Sequence, residues 1–173
     1  ITVSGKPKNG KIVVVQSTYP PVDSNLIQVL SLVSKARKYS PQVYAVIPYL
    51  GYARQDKEFL PGEVITMSVV ANMLKAAGAT KVIVVDIHSK MALNLFKISA
   101  TNVSAISELA KYFKKLKLKD PLVVSQDLGG IARARDFAKL FGTNFIALKK
   151  QRDRKTGKVE IKSKNQKRVA GRD

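Results

Sequence analysis

The feature that most constrains this chain is KVIVVD at 81–86, a run of Val and Ile with almost no polar interruption. It is too short for a buried helix and lacks the polar alternation of a strand with one wet face. It predicts a strand in a parallel sheet covered on both faces. The segments before it fit the same architecture. The residues at 12–16 read as a buried strand, and SNLIQVLSLVSKARKY at 24–39 places apolar residues at helical spacing behind a Pro-Pro turn and an Asp/Ser cap. A second strand follows at 42–48, then a helix at 65–77 with Gly78 as its C-terminal cap. Parallel strands joined by helices take right-handed crossovers, so an α/β doubly wound sheet is expected rather than a bundle or a sandwich.

A similar run then begins: a helix at 105–116, a strand at 122–125, a helix at 131–140 after Gly129-Gly130, and a strand at 144–148. The last readable strand, 158–162, is expected as a hairpin partner of 144–148. The stretch from 149 to 172 is dense in Lys and Arg, with Asp153 and Glu160 its only acids. This second unit reads as unfinished, because a sheet needs more strands than it supplies.

At 173 residues and 45% hydrophobic content the chain has enough apolar surface for a core. The net charge of +19 attracts polyanions: nucleic acid, an anionic membrane surface or polyphosphate metabolites. A nucleic-acid module should interleave aromatics with its basic residues, and 149–173 contains none, which leaves that reading a minor alternative. No apolar run is long enough to span a bilayer, and there is no cysteine for disulfide or thiolate chemistry. A cytoplasmic protein is the simplest expectation.

Four groups of residues carry chemistry. IPYLGYARQDK at 47–57 ends an apolar run in an aromatic and Gly turn and then presents Arg54 and Gln55. A guanidinium pairs with phosphate or stacks on a base, and an amide reads a purine edge; the bland alternative is a loop salt bridge to Asp56 or Glu58. VVDIHS at 84–89 holds His88, the sole histidine, two positions after Asp86. Strand alternation would put both on one side, although a lone His is more often structural and such an Asp is often a cap. SQDLGG at 125–130 offers the Asp127 carboxylate to a metal or a ribose hydroxyl. Its Gly129 and Gly130 let backbone N–H groups approach an anion, but a Gly strand-to-helix turn is also common for structural reasons. KKQRDR at 149–154 carries Lys150 and Arg152, which by themselves read as a solvated basic hairpin tip.

IPYLGYARQDK, VVDIHS and SQDLGG resemble three successive signatures of ribose-phosphate pyrophosphokinase, in that family's order and approximate spacing. The resemblance implies two tandem phosphoribosyltransferase-type doubly wound parallel-sheet domains: 1–107 on the ATP side, and 108–173 on the ribose-phosphate side, incomplete in this chain. It implies transfer of the diphosphoryl group of ATP to the 1-hydroxyl of ribose 5-phosphate, giving phosphoribosyl pyrophosphate and AMP with Mg2+. Arg54 and Gln55 would bind ATP, His88 and Asp127 would organise metal with Asp86 contributing, and Lys150 would be the catalytic cation. Arg152, with Gly129 and Gly130, would meet the transferring phosphate or the sugar phosphate. The chain departs from the family at Gln126 and Leu128, where Pro and His are usual. Segments the family has before the first strand and after GRD at 171–173 are not seen, so an internal portion of the enzyme is expected. A homo-oligomer sharing its nucleotide site between subunits is also implied, with no nucleic-acid or membrane partner. The rivals are a related phosphoribosyltransferase, disfavoured by the ARQD segment, and a catalytically silent regulatory homologue.

Overall fold

The computed structural model describes residues 10–148, 150–152, 159–161 and 169–173, with the backbone alone at 150–152 and 159–161. The chain divides into two compact units between Ser104 and Ala105. In the first, β1 (Ile12–Val15), β2 (Val43–Ile47), β3 (Lys81–Val85) and β4 (Ser99–Val103) form one parallel sheet, in space as in sequence. The helices α1 (Val22–Arg37) and α2 (Thr66–Ala76) make the first two crossovers, and a short 3-10 helix, Lys90–Leu95, lies on the third. Right-handed connections between neighbouring strands in this order bring successive helices to one face. The burial agrees. Val14 of β1, Val43, Ala45 and Ile47 of β2, and Val82 and Val84 of β3 form one apolar core with Val29 and Val33 of α1 and Met67, Val70 and Leu74 of α2.

The opposite face is different. Val13, Val15 and Val103 there are 54%, 62% and 43% exposed, and Ile83 and Val85 of β3 are half-buried. The Val/Ile run at 81–86 therefore has its complete cover on one side among the described residues, where cover on both was expected.

Local chemistry sets the ends of these elements. Gly78 takes φ +105°, the left-handed conformation expected after a helix, and its bare Cα admits the stem of Arg37, whose Cγ would lie 2.7 Å from an added Cβ. The expected Asp/Ser cap of α1 is absent. Pro21 stands at the N-cap without a side-chain hydrogen bond, and Asp23 lies inside the first turn. Strand β4 was not expected, because SATNV has no apolar alternation. It belongs to the sheet through its backbone and through Ala100 and Asn102, which lie beside Val82 and Val84.

The second unit pairs β5 (Val123–Ser125) with β6 (Phe145–Ala147) in parallel, with α3 (Ile106–Lys115) and α4 (Ile131–Phe141) beside them. Ala110 of α3 and Ala134 and Ala138 of α4 are buried, small residues that let two helices approach closely. The rings of Phe113 and Phe137 meet edge-on at 5.7 Å. The strand expected at 158–162 exists as β8 (Val159–Ile161), but its partner is β7 (Lys150–Arg152), antiparallel, and not the strand at 145–147. A short connection closes such a pair at lower entropic cost than a longer one.

Substituting Leu74, fully buried in α2, by Ala is expected to cost about 2–5 kcal/mol in a urea titration, whereas Val13→Ala on the open face should change stability by about 0.5 kcal/mol or less. Equal losses at the two positions would show that the core lies elsewhere.

Candidate functional site

In a parallel sheet all carboxyl ends share one edge, and the loops leaving β1, β2 and β3 meet there. The hinge of this edge in the first unit is Thr18. Its side chain is fully buried, and its Oγ1 donates to the Tyr49 carbonyl at 2.9 Å while accepting the Gly51 N–H at 2.7 Å. Its own N–H adds a further bond to the Tyr49 carbonyl at 2.9 Å. The loop after β1 is thus sewn to the loop after β2. Gly51 is required at the seam, since a Cβ there would sit 2.5 Å from Val22 Cγ1 and 3.2 Å from the Thr18 carbonyl oxygen. Above it, the exposed rings of Tyr19 and Tyr49 meet edge-on at 5.5 Å.

The chain then turns sharply. Tyr52 adopts φ +62°, a left-handed conformation uncommon for an aromatic residue, and its hydroxyl donates to Asp23 Oδ1 in the first turn of α1. Its carbonyl accepts the Gln55 N–H at 2.9 Å, and the Gln55 carbonyl accepts the Met67 N–H of α2 at 3.1 Å. Arg54 and Gln55 are consequently held by backbone bonds with both side chains exposed, while Asp56 beside them is buried. The loop beyond closes on itself: Glu63 accepts the N–H groups of Phe59 and Leu60 at 2.9 and 3.1 Å, Glu58 accepts that of Gly62, and the Lys57 ammonium lies 5.0 Å from the Phe59 ring centre.

The Tyr52 phenol is pushed above the ordinary tyrosine range. The hydrogen bond to Asp23 is the main cause, followed by burial and the carboxylate's charge. The neutral phenol is the form that donates. The stability this bond contributes is therefore present in full below the unfolded tyrosine pKa and is lost as pH rises through the raised folded value.

At the end of β3 the expected alternation stops. Asp86 has φ +45°, so the period-two pattern ends at Val85 and does not by itself carry Asp86 and His88 to one side. The Asp86 carboxylate accepts the Ser104 hydroxyl at 2.9 Å, and the Ile87 N–H donates to Asn102 Oδ1 at 2.8 Å, so this loop is tied to β4 and the residue after it. Ile87 is buried and His88 exposed.

In the second unit Asp127 Oδ1 accepts the Gly130 N–H at 2.9 Å, and Ser125 Oγ donates to the Asp127 carbonyl at 2.8 Å. Asp127 and Gly129 are exposed. Gly130 is needed for space, because an added Cβ would lie 2.7 Å from Ser125 Oγ. Its N–H, expected to face an anion, is engaged by Asp127. Lys150 and Arg152 fall on β7 where a hairpin tip was expected, and their side chains lie outside the described residues. Among the described residues no group of three or more His, Cys, Asp or Glu gathers as a metal cage, and no helix is long and apolar enough to cross a membrane.

A parallel α/β sheet with a polar, cross-braced loop at its carboxyl edge places the chain in the open-sheet class, whose members bind ligands at that edge. Comparison with known proteins narrows this. Residues 2–78 match the family model described as the N-terminal domain of ribose phosphate pyrophosphokinase. The ribose-phosphate pyrophosphokinase of Sulfurisphaera tokodaii is 34% identical over 166 residues, covering 95% of this chain and 57% of that one. That of Thermosipho africanus is 40% identical over 142 residues, covering 80% and 45%. The crystal structure of phosphoribosylpyrophosphate synthetase from Mycobacterium smegmatis matches with a TM-score of 0.73 at 28% identity, covering 88% of this chain and 51% of that one. The chain is similar to ribose-phosphate pyrophosphokinases over most of its own length, and it spans about half the length of the curated relatives it matches.

Sequence reasoning singled out Arg54 and Gln55 but not the residues that hold their loop. Asp23 read as a helix cap, and nothing local marks Thr18. The one available signal was the Gly-Tyr pair inside LGYARQD, a small residue and a bulky one together at a turn.

Thr18→Val keeps the volume but leaves the buried Gly51 N–H without its acceptor, an expected loss of about 1–3 kcal/mol. Gly51→Ala should cost about 1–3 kcal/mol by overpacking against Val22 and the Thr18 backbone. Urea midpoints unmoved in both variants would show that the two loops are not sewn together.

Proposed function

We propose that this chain carries the ATP side and part of the ribose-phosphate side of a ribose-phosphate diphosphokinase. The reaction joins the anomeric oxygen of ribose 5-phosphate to the β-phosphorus of ATP. The bond from that phosphorus to the bridging oxygen breaks, AMP leaves with the electron pair, and the hydroxyl proton passes to solvent. The observation that carries the reading is the presentation of Arg54 and Gln55, both exposed, on a loop fixed by backbone hydrogen bonds at the carboxyl edge of the sheet. A guanidinium held in this way pairs with phosphate oxygens or stacks on the base, and the amide reads the purine edge. The match of residues 2–78 to the N-terminal domain of ribose phosphate pyrophosphokinase, and the likeness to the curated relatives, support the same assignment.

The donor set suits Mg2+, a hard cation that takes one or two carboxylates together with substrate phosphates and water. Asp127, an exposed carboxylate, is the fitting ligand, and His88 would act through a water or on a phosphate oxygen. Asp86, already bonded to Ser104, contributes to the position of the β3 loop before it contributes to metal. The cation, when bound, neutralises charge on the transferring phosphates. Lys150 is assigned as the catalytic cation that meets the negative charge spreading over the diphosphoryl oxygens, with Arg152, Gly129 and Gly130 toward the transferring group or the sugar phosphate.

In the complete enzyme, Arg54→Ala is expected to raise the ATP dissociation constant about tenfold or more with little change in melting temperature, since an exposed loop cation supports no core. Unchanged affinity in calorimetry would reject the nucleotide assignment. Lys150→Ala should lower kcat by about 100-fold or more while leaving both Michaelis constants near their original values, because its charge is needed as the group moves. Near-normal turnover would reduce Lys150 to part of a solvated basic hairpin.

A further inference from the structure

The geometry points to Tyr52 as a positioning residue for nucleotide binding, with Asp23 as its anchor: the phenol hydroxyl on the Asp23 carboxylate holds the left-handed turn that presents Arg54 and Gln55. The inference rests on the ATP reading of those two residues and adds to it the pair that keeps them in place.

Tyr52 is a bulky residue at φ +62°, where an L side chain crowds its own backbone, so the conformation persists only where surrounding contacts over-determine it. The contacts that do so are visible. On one side Gly51 is wedged against Val22 and Thr18, and on the other the Tyr52 carbonyl accepts the Gln55 N–H. What remains is rotation of the turn about that seam, and the hydroxyl on Asp23 stops it by reaching α1, an element 29 residues earlier in the chain. Asp23 is itself favourably placed, since a carboxylate in the first turn of a helix faces the positive end of the helix dipole. A glycine would satisfy the backbone at 52 with no strain, so an aromatic hydroxyl there is explained by what its far end holds.

The test compares Tyr52→Phe, Asp23→Ala, Asp23→Asn and the double variant Tyr52→Phe/Asp23→Ala. One readout is the ATP dissociation constant of the complete enzyme; the other is amide hydrogen exchange of the 49–57 peptide without ligand. Tyr52→Phe and Asp23→Ala are each expected to weaken ATP about tenfold and to speed exchange in that peptide. The double variant should be no weaker than either single one, because both remove the same bond. Asp23→Asn should stay near the parent protein in both readouts, since its carbonyl oxygen still accepts the phenol proton. Parent-like affinity or exchange in Tyr52→Phe, additive losses in the double variant, or Asp23→Asn as impaired as Asp23→Ala would each overturn the positioning role. If the parent enzyme does not bind ATP, or Arg54→Ala binds as well as the parent, the nucleotide reading falls instead. The exchange measurement then decides alone whether the tether holds the turn.

Discussion

A buried hydroxyl between two loops is the constraint on which the rest of this site depends. Loops at the carboxyl edge of a parallel sheet are free to vary, and that freedom makes them useful for binding and poor at holding a side chain still. Thr18 removes the freedom. Being fully buried, its hydroxyl has no water to turn to, so both its donor and its acceptor capacity go to Tyr49 and Gly51. The bonds fix the separation of the two loops, and the absence of a side chain at Gly51 lets that separation be short.

From this seam the arrangement propagates in one direction. Tyr52 can occupy its strained conformation because the residue before it is wedged and its own hydroxyl is caught by α1. Gln55 is then bonded on both backbone sides, to Tyr52 and to the start of α2, so the presentation of Arg54 and Gln55 is inherited from β1, β2 and both helices. Preorganisation of this kind lowers the ordering cost of binding, as the proposed ligand, a flexible nucleoside triphosphate, requires. The chain's net charge of +19 adds long-range attraction for polyphosphates without choosing among them; selection falls to the fixed groups.

The parts of the structure that the sequence disclosed are those governed by local periodicity. The Val/Ile run at β3, the helical spacing of α1 and α2, and Gly78 at a left-handed cap all depend on residues within a few positions of each other. What stayed hidden depends on distance. Strand β4 has Ser, Thr and Asn where a strand usually has apolar alternation, and only its register beside β3 makes it a strand. Asp23 and Tyr52 look like a helix cap and a turn aromatic until the fold brings them together. Asp86 misled for a different reason: alternation holds only while φ stays in the β region, and the chain leaves that region at this residue. The hairpin of β7 with β8 shows proximity in sequence deciding a pairing that pattern alone had given to an earlier strand.

We propose that nucleotide is held at the carboxyl edge of the first sheet, over the braced loops. Chemical-shift mapping tests this: an isotope-labelled sample of the complete enzyme is titrated with Mg-ATP, and the backbone amides that move are assigned. The largest shifts are expected at Thr18, Tyr49 and 51–57, with smaller ones at 86–89 and none along the buried side of α1 or in the Lys-rich helix α3. Shifts concentrated at Lys111, Lys114 and Lys115, with 51–57 unmoved, would mean that ATP follows the basic surface and that the braced loop is not its site.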